Sequence, residues 1–435
     1  MPAWERGRTG RFAVVGLGCI TALWAIGLAL HAYGGTSLVV NHAAVRAWLV
    51  GGDLYDSRLG AALPPVTALV MTPGAVLPVT ITAWLLAVSG LAALVLSLVA
   101  LAGPIARRYG RSRFAVVVTA AVLALVTEPV RAVLGLGHLD LLLLGLITAD
   151  MVGLRRAARA RRRAAWWPST PSTPSTPSTP SMPRLRRIWS TGSWAGVGIG
   201  LATALAVSPG LFIVYLAVTR QWRAVVTATT TAATLMFGGY LVAPNATARW
   251  IGTVLFQVDR SGPVGDPANQ SLAGLLARLY DSTSTPVLVW LSFAVLLLAV
   301  GLIRARAAHA DNDEIAAFTL VGLAGAAAAP VSSSHKLVWV LPAMLILVDA
   351  AARSRAGARR RRRFAGAGYA AGAFLAYVLF ALPPQWMLGW NAYAFAVILL
   401  MNALPWRPGV VPEMRPVRRP VAPPRVPAIP GPRGS

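Results

Sequence analysis

Apolar and polar residues in this chain are segregated into long blocks. Runs of about 17–25 mostly apolar residues mark helices that cross a bilayer. Such runs lie near 12–33, 79–102, 114–130, 138–153, 192–206, 209–219, 224–242, 286–304, 313–329, 337–352, 364–382 and 389–404. The pattern predicts an all-α polytopic membrane protein with about twelve transmembrane helices. The run 138–153 and the two runs flanking Ser208-Pro209 are short. A proline interrupts a helix, and lipid tolerates the interruption only where protein or a cavity covers it.

Two polar stretches between the runs are long, 34–78 and 243–285. Long loops in a compact fold are usually functional. The segment from Leu63-Pro64-Pro65 to Leu77 is modestly apolar but too short to span. It reads as an amphipathic or re-entrant element in the interface. The linker 164–188 repeats Pro-Ser-Thr and predicts an extended, solvated connection. The tail 405–435 is rich in proline and arginine and reads as disordered. The remaining 1–404 forms one transmembrane domain. The first apolar run is long enough to span and lacks a clear cleavage site, so no cleavable signal peptide is expected.

Composition supports this division. Only 12% of residues are charged and 56% are hydrophobic, against about 25% charged in a soluble domain. The formal charge is +26, carried by 40 basic residues against 14 acids. In a soluble protein that balance would suggest nucleic acid, but no interleaved basic and aromatic surface accompanies it. Instead the arginines fall in blocks at 6–11, 107–113, 155–163 with 184–187, 220–223, 304–306, 353–363 and 407–433. Basic residues of short loops stay in the cytoplasm. With twelve spans every block lands on one face, and both termini are cytoplasmic. Cys19 is the single cysteine, so no disulfide framework or cysteine metal cluster is available.

This topology sorts the acids. Glu5, Asp150, Asp311, Asp313, Glu314, Asp349 and Glu413 fall near the cytoplasmic face. Asp53, Asp56, Glu128, Asp259, Asp266 and Asp281 fall outside, and Asp140 lies just inside the fourth span. Lys336 is the only lysine, next to His335 at an outer turn. A charge at a span's edge marks a functional site by default. Glu128-Pro129-Val130-Arg131 and Gly137-His138-Leu139-Asp140 gather more ionisable groups at the outer edge. They suit either an ion pair, Glu128 with Arg131, closing a tight turn, or the polar wall of a site. Asn269-Gln270-Ser271 and Arg278 lie in the long outer loop. Amides suit sugar hydroxyls, because each offers donors and an acceptor; a cap or turn is the plainer use. There is no metal-ligand pair at helical spacing, no phosphate-cradling glycine loop and no nucleophile elbow.

In these segments the chain resembles glycosyltransferase family 87 over about 37–342. The likeness rests on Gly51-Gly52-Asp53-Leu54-Tyr55, on Pro64-Pro65, and on Glu128-Pro129 with Gly137-His138-Leu139-Asp140. It continues in Ser208-Pro209 with Arg220-Gln221-Trp222-Arg223, in Asn269-Gln270-Ser271-Leu272 with Arg278, and in Pro330-Val331-Ser332 through His335 to Trp339. The resemblance implies a GT-C architecture. It also implies transfer of mannose from polyprenyl-phosphate-mannose to a lipoglycan or glycolipid on the outer face of a bacterial cytoplasmic membrane. The position of the family's first-loop aspartate is Ser37, and Lys336 stands at its second histidine. On this likeness, Asp53, His42 and His335 are the catalytic candidates. Lys336, Arg131, Glu128, His138, Asn269, Gln270 and Arg278 would bind donor phosphate and substrate. No metal is implied, because no outer-face carboxylate cluster is visible in the sequence, and no cofactor, because the sugar arrives on a lipid. Two other readings stay open: a catalytically degenerate family member that binds lipid-linked sugar, and a secondary transporter.

Overall fold

Each of the twelve apolar runs carries a helix in the computed structural model. The structure describes residues 3–56, 62–166, 191–257, 260, 262–280, 287–357 and 366–408. Most of the Pro-Ser-Thr linker, from 167, and the tail from 409 lie outside the described residues. The first half comprises α1 (Ala3–Tyr33), α2 (Thr36–Leu49), α3 (Pro65–Val76), α4 (Val79–Arg108), α5 (Arg113–Val126), α6 (Glu128–Leu136) and α7 (Asp140–Trp166). The second half comprises α8 (Val197–Leu205), α9 (Gly210–Val218), α10 (Trp222–Val242), α11 (Pro244–Gly252), α12 (Leu272–Leu279), α13 (Val287–Ala310) and α14 (Glu314–Ala328). A 3-10 turn, Ser334–Trp339, leads into α15 (Val340–Gly357), followed by α16 (Ala367–Ala381), α17 (Pro384–Leu388) and α18 (Ala392–Ala403). No strand occurs among the described residues.

Four helical segments among the described residues are long and apolar enough to cross a membrane alone: Val79–Arg108, Trp222–Val242, Val287–Ala310 and Ser334–Ala356. The number rises to six if each of two bent pairs is one span. One pair is α1 with α2, bent by 77°, and the other is α5 with α6, bent by 71°. Each bend has a local cause. Gly34 and Gly35 sit at φ 64° and 60° between α1 and α2, a conformation that glycine reaches without steric cost. Pro129 in the first turn of α6 lacks an N–H and clashes with the preceding turn, so α5 cannot continue through it. The short segment between the third and fourth apolar runs is therefore mostly helix. The broken pair α8 and α9 has nine residues in each half. At 1.5 Å per residue each half rises about 14 Å, less than half the ~30 Å hydrocarbon core. Thr67 of α3 donates to the Leu205 carbonyl at 2.6 Å, satisfying one of the backbone groups freed by the break.

The core lies where α4, α7, α8, α14 and α15 meet, around Leu94, Leu144, Ile199, Phe318 and Val340. Twelve residues of α14 are buried, so it runs through the middle of the bundle. By contrast, α13 leaves Leu288, Leu291 and Leu296 exposed, as a lipid-facing helix would. A second, smaller core joins the two long loops: Val45, Leu54, Tyr55, Ala68 and Ala75 pack with Trp250 and Val254.

Arg353 of α15 and Arg407 of the C-terminal arm meet acids at one end of the bundle. Asp349 pairs with the Arg353 guanidinium at 3.1 Å and accepts from Arg407 Nε at 2.9 Å. The Arg407 amide donates to Asp313 at 3.0 Å, and Trp406 Nε1 donates to Asp311 at 2.8 Å. Both α7 and α15 run from this end to the opposite one, where Asp140 opens α7 and the 3-10 turn precedes α15.

Candidate functional site

The 3-10 turn carrying His335 and Lys336 packs between α6 and α7. Sequence dictates this arrangement through Gly137, which ends α6 at φ 77°. A Cβ there would sit 2.6 Å from the Leu38 Cβ of α2. That close approach brings α2, α6 and the start of α7 to one junction. His138 follows immediately and stacks on His335, with ring centroids 3.7 Å apart and planes 6° from parallel.

Glu128 is the hub beneath them, with 1% of its surface exposed. Its Oε2 accepts from the Tyr33 hydroxyl at 2.7 Å and from Arg131 at 3.3 Å. Its Oε1 accepts from the Ser334 hydroxyl at 3.3 Å. Three elements, α1, α6 and the 3-10 turn, are thus tied through one carboxylate. The Glu128–Arg131 pair exists, but it spans the first turn of a helix rather than closing a tight turn. Lys336 Nζ donates to the Val331 carbonyl at 2.8 Å, leaving further N–H groups for a ligand.

The outer loop's amides serve its backbone. Asn269 donates to the Val264 and Pro330 carbonyls at 2.9 and 3.1 Å and accepts from the Ser332 amide at 2.9 Å. Gln270 donates to the Pro267 and Leu388 carbonyls at 2.7 and 3.1 Å. Ser271 caps α12 and donates to the Pro330 carbonyl at 3.0 Å. Arg278 donates to the Asp266 and Asn269 carbonyls at 2.6 and 2.9 Å and bonds Asn391. Together these residues clamp the 330–334 turn from behind and bring no free amide face to the histidines.

Asp53 and His42 lie in the second core's neighbourhood. Asp53 accepts from the Tyr55 amide at 2.8 Å and forms an ion pair with Arg249. His42 is buried, with Nε2 at 3.0 Å from the Leu77 carbonyl. Burial raises the Tyr55 hydroxyl well above its ordinary range, so it stays protonated and donates to the Leu63 carbonyl at 2.8 Å. Ser37 lies in α2, next to Leu38 at the Gly137 junction.

The structure adds what sequence did not single out. Tyr33 looked like one more aromatic at the end of an apolar run. Asp140 was legible as part of the outer-edge ionisable cluster, but not as a group that meets His335. One donor atom from each of His138, Asp140 and His335 lies within 4.8 Å of the others. That donor set is one that transition metals take. An imidazole binds a metal in its own ring plane, however, and two nearly parallel rings at this separation cannot place one ion in both planes.

A helical membrane protein with imidazoles, a lysine and two carboxylates gathered at one end of its bundle defines the class. The profile of glycosyltransferase family 87 matches residues 63–334, and the chain belongs to that family. Over 152 residues it is 31% identical to a polyprenol-phosphate-mannose-dependent alpha-(1-2)-phosphatidylinositol mannoside mannosyltransferase of Mycobacterium tuberculosis, covering 35% of this chain and 36% of the relative. A Mycolicibacterium smegmatis protein with the same description is 28% identical over 52% of this chain and 46% of its own length. A pentamannoside mannosyltransferase of the latter organism is 25% identical over 83% of this chain and 78% of its own. The chain thus spans about a third to a half of the first two relatives. No solved structure matches.

Proposed function

We propose that the chain transfers a mannosyl unit from polyprenyl-phosphate-mannose to a lipoglycan or glycolipid acceptor. The reaction takes place on the outer face of a bacterial cytoplasmic membrane. The observation that carries this is the family match together with a 3-10 turn that offers His335 and Lys336 at the end of the bundle away from the arginine-paired acids. Transfer makes charge grow on the departing phosphate, and preorganised cations there lower the barrier. Lys336 is a compact point charge suited to that task, with His335 next to it in the turn and Arg131 held by Glu128. Twelve crossings, or fewer with re-entrant halves at α8 and α9, keep the arginine blocks inside and the site outside.

A donor assay tests this. Membranes bearing the wild type, His335→Ala or Lys336→Ala are given polyprenyl-phosphate-mannose and a glycolipid fraction. Transfer by the wild type and a loss of about 10²-fold or more in each variant is the expected result. Equal rates in all three would remove the phosphate role. A wild type that binds donor but transfers nothing would favour a degenerate enzyme, the reading that the serine at position 37 keeps in view.

A further inference from the structure

An inverting transfer needs a base for the acceptor's hydroxyl as well as cations for the phosphate. Asp53 is engaged by Arg249 and the Tyr55 amide, and Glu128 is wrapped by Tyr33, Arg131 and Ser334. His42 faces the Leu77 carbonyl. The three donor atoms of His138, Asp140 and His335, all within 4.8 Å of one another, form a different kind of arrangement. A triangle with sides no longer than that has its centre about 2.8 Å or less from each corner, the length of a strong O–H hydrogen bond. His138 and Asp140 are partly exposed, so a ligand can reach them. His335 is only 8% exposed, and its Nδ1 is buried with no partner. The stacked rings disfavour a shared metal ion, as does the neighbouring Lys336 ammonium.

We infer that His138, in the link just before α7 and supported by Asp140 at the start of that helix, takes the proton from the attacking acceptor hydroxyl. The inference rests on the glycosyl-transfer reading above. In the step, the hydroxyl oxygen forms a bond to the anomeric carbon while the bond from that carbon to the phosphate oxygen breaks. The electron pair leaves with the phosphate, beside Lys336. The proton passes to the His138 imidazole, and the Asp140 carboxylate stabilises the imidazolium. His335, stacked against His138, holds the ring's plane.

The test uses full-length chain in membranes, with transfer rates measured against pH and donor binding measured separately. His138→Gln is expected to lower kcat by about 10²–10⁴-fold, far more than it weakens donor binding, and to flatten the acid limb of the pH profile. Asp140→Asn is expected to keep that limb but move it to lower pH, because the imidazolium loses its carboxylate. The groups facing His138 are His335 and Lys336 on the 3-10 turn and Asp140 at the start of α7. Glu128, Arg131 and Tyr33 are paired among themselves, and His42 with a carbonyl. A His138→Gln enzyme with wild-type kcat, or with its acid limb intact, overturns the inference. Loss of wild-type activity in chelator, restored by zinc or manganese, overturns it in favour of a metal site. If His138→Gln fails to accumulate, the Asp140→Asn limb decides: an unmoved limb overturns the proposal. A wild type that transfers from no polyprenyl-phosphate hexose ends the glycosyl-transfer reading itself, a result distinct from an active enzyme indifferent to His138.

Discussion

Glu128 shows what one residue must do here. It is buried, and the partners that stabilise its charge come from three elements. Removing one side of a buried, hydrogen-bonded ionic group typically costs about 3–5 kcal/mol; Arg131 is partly exposed, so the lower end applies. Glu128→Ala is expected to lower thermal stability in detergent by about 3 kcal/mol and to abolish transfer, because the turn bearing His335 loses its Ser334 anchor. Tyr33→Phe removes a single donor and should cost about 1 kcal/mol, read in the same melting experiment. The rare Lys336 and the three-residue spacing of Glu128 and Arg131 were legible in sequence. Tyr33 was not, since nothing in an apolar run tells a hydroxyl with a carboxylate partner from one at the lipid interface. Asn269 and Gln270 were legible as important polar residues, but their partners are backbone carbonyls of the 264–267 segment, Pro330 and Leu388. Such contacts leave no mark on the pattern of residue types.

At the scale of elements, each apolar run held a helix, but the helices inside the two long polar stretches, α2, α3, α11 and α12, were not legible as such. Hydropathy does not sense a bend: the run 114–130 passes the break at Thr127 and stops a few residues into α6. The broken α8–α9 pair was legible from Ser208-Pro209. What covers it, α3, was legible only as an interfacial segment. Thr67→Val keeps the shape and removes the donor to the Leu205 carbonyl. It should destabilise by about 1–3 kcal/mol, seen as a lower midpoint in a detergent melt; an unchanged midpoint would mean that water already serves that carbonyl. Gly274→Ala would set a Cβ 2.4 Å from the Asn269 carbonyl oxygen. The clamp behind the 330–334 turn should then open, and transfer should fall more steeply than stability.

For the whole molecule, the arginine blocks argue that one end of the bundle is cytoplasmic and the histidine end is not. In a Cys19→Ser background, an impermeant maleimide added to intact cells should label Asp266→Cys and spare Asn312→Cys; both parent residues are exposed. The reverse pattern would invert the topology. The same long-range wiring also sets a timetable. Ser334 lies 206 residues after Glu128, which at about 5–20 residues per second of synthesis is roughly 10–40 s. Tyr33 lies 95 residues before Glu128 and is already made. Order of synthesis therefore gives Glu128 its phenol partner long before its serine partner exists, and the turn that bears His335 is the last of the three elements to reach the carboxylate.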